Sequence, residues 1–169
     1  SDAFLALYRA GKLTNRLKAI DTGYSTWNLA MGSQELYNWL DEEPMLFHPA
    51  DVDYVHSPER ISRMKRVISI NGGVELDLMG QENAESAGSR QLSGTGGQLD
   101  FLEGAFRSEG GKGFLCLAST HKKKDGTLKS NIVPFVPGGS VVSAPRSMWQ
   151  RTLGLRSCRD CLYGNGQRR

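Results

Sequence analysis

No apolar run in this chain is longer than about five residues, and the clearest, Phe114 to Ala118, is bounded by glycine on one side and polar residues on the other. A bilayer-spanning helix needs about 20 apolar residues in succession. Short runs between turn residues instead predict short strands and helices closing one soluble core, the default for a chain of 169 residues. Glycine is the one compositional excess, 20 residues in all, and predicts tight turns and close backbone approaches. Residues 1–12 lack the basic start, long apolar stretch and small-residue cleavage site of a secretory signal.

The net charge of +3 is unevenly placed. Arg151, Arg156, Arg159, Arg168 and Arg169 against Asp160 give residues 151–169 a charge of +4, which leaves residues 1–150 at −1. A neutral body with a basic tail predicts no nucleic-acid partner, because that function calls for a basic face on the folded domain. Three cysteines fit a reducing, cytoplasmic setting. Cys116 reads as a small buried hydrophobe. Cys158 and Cys161 form a lone C-x-x-C without the further ligands that zinc requires. His48, His56 and His121 show no metal spacing, so no metal site is expected.

Helices are predicted after Ser1, after Ser33 (ended by Pro44), from Ser57-Pro58 to about Lys65, and over Leu99–Ser108. Strands are predicted at 52–55, 67–70, 74–78, 114–119, 131–136 and from 141. Asn71-Gly72-Gly73 carries a hairpin-type turn signal, and Lys122-Lys123-Lys124-Asp125-Gly126 reads as a charged hairpin tip. Alternating strands and helices argue an α/β domain. Glu75 and Asp77 share one strand face, either solvated or a pair of catalytic carboxylates.

The segment 93–98, S-G-T-G-G-Q, is neither a Walker loop nor a Rossmann fingerprint. Its three glycines let backbone N–H groups approach an anion. Asp100 can cap the helix behind it, whose N-terminus attracts negative charge. A tight loop packed on a sheet accounts for the same residues equally well.

Several stretches together resemble the C-terminal half of the acetyl-CoA hydrolase/transferase family, which includes 4-hydroxybutyrate CoA-transferases. They are V-D-Y-V-H-S-P at 52–58, S-I-N-G-G-V-E-L-D-L-M-G-Q at 69–81, N-A-E-S at 83–86, S-G-T-G-G-Q-L-D-F at 93–101, G-G-K at 110–112, I-V-P at 132–134 and A-P-R at 144–146. The resemblance covers residues 1–150. It implies a CoA-transferase-like α/β domain (the NagB/RpiA/CoA-transferase type) with a mixed sheet flanked by helices. It also implies ping-pong transfer of coenzyme A between carboxylates, or acyl-CoA hydrolysis, through acyl-glutamyl anhydride and glutamyl-CoA thioester intermediates.

By that resemblance Gly94, Gly96, Gly97 and Gln98 approach coenzyme A, Asn71, Gly72 and Gly73 line the same cleft, and Lys122 matches a basic residue near CoA. His56 stands where the family commonly has Asn. Acyl-CoA and a small carboxylate are the implied substrates, with no permanently bound cofactor. Ser1-Asp2 resembles the stretch just after the family's catalytic Glu. The nucleophile is therefore expected before Ser1, no catalytic residue is expected in this chain, and Glu75 does not replace it. The implied partner is the N-terminal half or a homologous subunit, and an exposed former interface implies self-association. Beyond residue 150 the family's T-E-x-G-V-A-x-L-x-G-L-S pattern is lost. Synonymous codons for residues 152–166 exist that, in a shifted frame, give L-G-V-A-E-L-P-G-L-S-I-R-Q-R. We therefore expect residues 151–169 to be an off-family tail produced by a frameshift near 149–152.

Overall fold

The computed structural model describes residues 1–145 in full, together with the backbone of two strands, Leu153–Cys158 and Cys161–Gly164. In chain order the elements are α1 (Asp2–Arg9), β1 (Ser25–Trp27), α2 (Gln34–Glu42), a 3-10 turn (Pro44–Leu46), β2 (Phe47–Pro49), α3 (Val52–Val55), α4 (Pro58–Arg63), β3 (Ile68–Gly72), β4 (Glu75–Asp77), β5 (Glu82–Asn83), β6 (Ser86–Ala87), β7 (Arg90–Gln91), α5 (Gln98–Arg107), β8 (Lys112–Cys116), β9 (Thr120–Lys122), β10 (Leu128–Ser130), β11 (Ile132–Val133), β12 (Leu153–Cys158) and β13 (Cys161–Gly164). The molecule is α/β, with its strands distributed over small sheets. The largest has the order β12-β13-β8-β3 and is mixed: β3 runs parallel to β8, and β13 antiparallel to it.

Two apolar clusters anchor these elements. In the first, Leu5 of α1 meets Leu36 and Trp39 of α2, with Tyr8, Leu13, Leu40, Leu46 and Phe47 around them. The Trp39 ring packs at a tilt against Tyr8, 4.9 Å between centroids, and meets Phe47 edge-on at 4.8 Å. Ser33 caps α2 by accepting from Leu36 N at 3.3 Å, and the Asp2 carboxylate accepts from Ser33 Oγ at 2.6 Å. In the second cluster, α5 buries Leu102 and Ala105, alongside the buried Ile61 of α4 and Leu115 of β8. The ends of these elements are pinned through Ser108, which donates to Met64 O at 2.6 Å and accepts from Val67 N at 3.2 Å.

Several local expectations change. Residues 52–55 form the short helix α3, because the Tyr54 hydroxyl donates to Asp21 at 2.8 Å and the Arg60 guanidinium covers its ring. These tertiary contacts override the strand preference of the β-branched residues. Asn71-Gly72-Gly73 makes no hairpin: β3 continues through Gly72, Gly73 N donates to Cys116 O, and Val74 N then bonds Asn83 O in another sheet. Residues 141–142 form no strand, and the segment joins β5 only through a bridge between Ala144 and Glu82. Cys116 is half-buried rather than fully enclosed. The charged tip at 122–126 does close the β9–β10 hairpin. The side chains of residues 146–169, including Cys158, Cys161 and the five tail arginines, lie outside the described residues.

Candidate functional site

The glycine loop 93–98 runs directly into α5, and Gly97 occupies the N-cap position of that helix. Asp100 therefore lies within the first turn rather than at the cap. The His56 ring stands against Gly97 so closely that a Cβ there would come within 2.5 Å of it. His56 also meets the Phe101 ring edge-on at 5.3 Å, and its Nδ1 is 3.9 Å from Asp100 Oδ2. Gly96 has φ +57, and a Cβ on it would face open space. Gly96 thus leaves side-chain-free backbone open beside the positive end of a helix dipole, an arrangement suited to an anion or a thioester oxygen, while Gly97 packs against His56.

The segment 82–86 supports the loop from behind. Glu82 Oε2 accepts from Gln98 Nε2 at 2.8 Å, and Glu85 Oε2 accepts from Thr95 Oγ1 at 3.2 Å. Asn83 Oδ1 accepts from Glu85 N at 3.0 Å and Ser86 N at 2.9 Å, which closes the turn between the two carboxylates. Glu82 also reaches Gly73, where a Cβ would lie 2.9 Å from Oε1. His56, Gly73, Gly97 and Gln98 are thereby drawn into one neighbourhood with Glu82. Asn71 and Gly72 reach it along β3, and the Asn71 amide donates to Ser69 Oγ at 2.8 Å. Gly94 lies across the same loop, open to space. Lys122 stands apart on the exposed β9–β10 hairpin, with its side chain against Gly126 of the same tip. No described contact joins it to the cluster.

Burial pushes the Glu82 carboxyl up to about 7; the Gln98 hydrogen bond opposes the rise and the Glu85 charge adds to it. Asp77 shows the opposite balance. Burial works against its charge, but donors at Gln81, Val136 and Met79 hold its carboxyl below the usual range. Glu75 and Asp77 are both buried, which corrects the solvated-face alternative. Glu75 accepts from Lys129 Nζ at 3.1 Å, and Asp77 closes the 78–81 turn through Met79 N and Gln81 N. Among the described residues, no group of three His, Cys, Asp or Glu side chains is placed to hold a metal ion.

Glu82 and Glu85 are the residues that sequence reasoning missed. They sit in a stretch with few apolar side chains, where hydropathy gives no sign of burial. Glu85 lies inside the resembling block N-A-E-S, whereas Glu82 falls between two such blocks and carried no signal.

Residues 32–152 match the model of the acetyl-CoA hydrolase/transferase C-terminal domain. A probable butyrate:acetyl-CoA coenzyme A-transferase of Syntrophomonas wolfei is 45% identical over 146 residues, covering 86% of this chain and 32% of the relative. A 4-hydroxybutyrate coenzyme A transferase of Clostridium kluyveri is 38% identical over 147 residues, covering 87% of this chain and 33% of the relative. The crystal structure of RipA from Yersinia pestis superposes with a TM-score of 0.73 at 39% identity, over 84% of this chain and 31% of that one. The chain spans about a third of the length of these proteins.

Proposed function

Since the chain belongs to the acetyl-CoA hydrolase/transferase family as its C-terminal domain, we propose that it forms the coenzyme A-facing wall of an acyl-CoA:carboxylate CoA-transferase or acyl-CoA hydrolase. The observation that carries this reading is the open, side-chain-free backbone at Gly96, at the head of α5 and beside Gly97 and the His56 ring. Backbone N–H groups there would stabilise the oxyanion that develops on a thioester carbonyl. The nucleophile in this reading is a glutamate outside the chain, which forms a glutamyl-CoA thioester between its two half-reactions. In this reading Asn71, Gly72, Gly73, Gly94, Gly96, Gly97, Gln98 and His56 line the cleft, and Lys122 enters only through its match to a basic residue near CoA. Acyl-CoA and a small carboxylate are the substrates.

The reading is tested by titrating the chain with coenzyme A in a calorimeter and repeating the titration with Gly97→Val. A valine at this position forces His56 off the loop, so affinity should fall by about tenfold or more, ~1.4 kcal/mol. Equal affinity for both proteins, or no heat up to millimolar CoA, would overturn it. Binding without turnover when a separate N-terminal half is supplied would instead favour a non-catalytic CoA-binding or subunit-interaction module.

A further inference from the structure

Glu82 is fully buried, and its backbone is fixed on both sides. Its N–H donates to Ala144 O at 3.0 Å, and its carbonyl accepts from Ser143 N at 2.8 Å. The side chain therefore cannot swing to solvent unless β5 detaches. Oε2 holds Gln98, the first residue of α5, while Oε1 abuts Gly73 and has no hydrogen-bond partner among the described residues. Glu85 fastens the other end of the glycine loop at Thr95. The charged groups on the surrounding elements are Glu75 of β4, already paired with Lys129 of β10; Glu85 in the same turn; and Asp100 of α5, which faces His56.

A carboxylate at this position would bury a charge supported by one neutral amide, with Glu85 repelling it. A carboxylic acid would bury none and still accept from Gln98. We propose that Glu82 is a positioning residue: as a neutral acid it latches Gln98 and the glycine loop onto the end of β3 at Gly73, and its ionisation favours an opened form in which β5 detaches, the charge is hydrated and the loop is released. The upward displacement of its carboxyl to about 7 places that release near neutrality. The latch itself is independent of any ligand. Its consequence, weaker hold on coenzyme A above neutral pH, rests on the CoA-site reading above.

Hydrogen exchange on the intact chain tests the latch without ligand. The amides of Leu92, Ser93 and Phe101 report the loop, because their N–H groups donate to Glu85 O and Gly97 O. Corrected for intrinsic rates, their protection should fall progressively above about pH 4.5 and level off above about 7, by about tenfold between about pH 6 and about pH 8.5. Glu82→Gln should stay protected throughout, since its amide oxygen still accepts from Gln98 and cannot ionise. A flat wild-type profile would overturn the proposal, and so would the same fall in Glu82→Gln. Should that variant not fold, the wild-type Gln98 side-chain amide resonances decide the matter: a midpoint near 7 supports the latch, and no shift over this range overturns it. Coenzyme A titrations of the wild type at the same two pH values separate the two readings. Weaker binding at high pH supports both, whereas an intact exchange transition with no CoA binding at either pH keeps the latch and sinks the site.

Discussion

Two buried carboxylates, Asp77 and Glu82, set opposite limbs of this chain's pH-dependent stability. Asp77 is held below the usual carboxylate range, against its burial, by N–H groups of its own 78–81 turn and of the distant Val136. Its contribution is present above the unfolded value of about 4 and lost as pH falls further. Asp77→Ala should leave the N–H groups of Met79 and Val136 without that acceptor and cost about 3 kcal/mol at neutral pH, measured by urea denaturation. Glu82 has its folded value raised, so its stabilisation is complete below the unfolded value of about 4.5 and disappears as pH rises through about 7. Glu82→Gln should therefore raise the melting temperature at pH 8 and leave it unchanged at pH 5. A gain of similar size at both values would mean that the carboxyl is already charged in the fold at pH 5.

At the scale of elements, the α4–α5 contact is set by one missing side chain. A Cβ on Gly104 would lie 2.5 Å from both Cβ and Cγ2 of Ile61. Gly104→Ala gains about 1 kcal/mol of helix propensity but forces two packed helices apart, and the clash should win by ~1–3 kcal/mol. Adding Ile61→Ala should recover part of that loss in a double-mutant cycle, whereas strict additivity would show that the helices do not meet there. The helices were the most legible elements because their ends are written locally: Ser33 and Ser57 cap α2 and α4 as their sequences predict. The 52–55 segment and the supposed hairpin at Asn71–Gly73 were not, because their conformations are decided by partners distant in sequence, Asp21 for Tyr54 and Cys116 for Gly73.

At the scale of the whole molecule, large apolar side chains lie open to solvent. Ile68 and Ile70 on β3 are 60% and 69% exposed, and Phe4, Met45 and Phe135 are also open to solvent. Patches of this kind are uncommon on monomers. The isolated chain should self-associate, with a mass by light scattering that rises with concentration; a constant monomer mass at high concentration would refute this. Sequence alone determined the family, through G-T-G-G-Q and its flanking blocks, and it determined helices α1, α2, α4 and α5, through caps and turn residues that act over a few positions. It also brought the glycine loop and the Asn71–Gly73 stretch forward as one cleft by resemblance. What joins them is Glu82, a polar residue in a polar stretch, and only the tertiary structure could reveal it. Burial is a property of what surrounds a side chain, and here Gly73, Gln98 and Ala144 come from three separate parts of the chain.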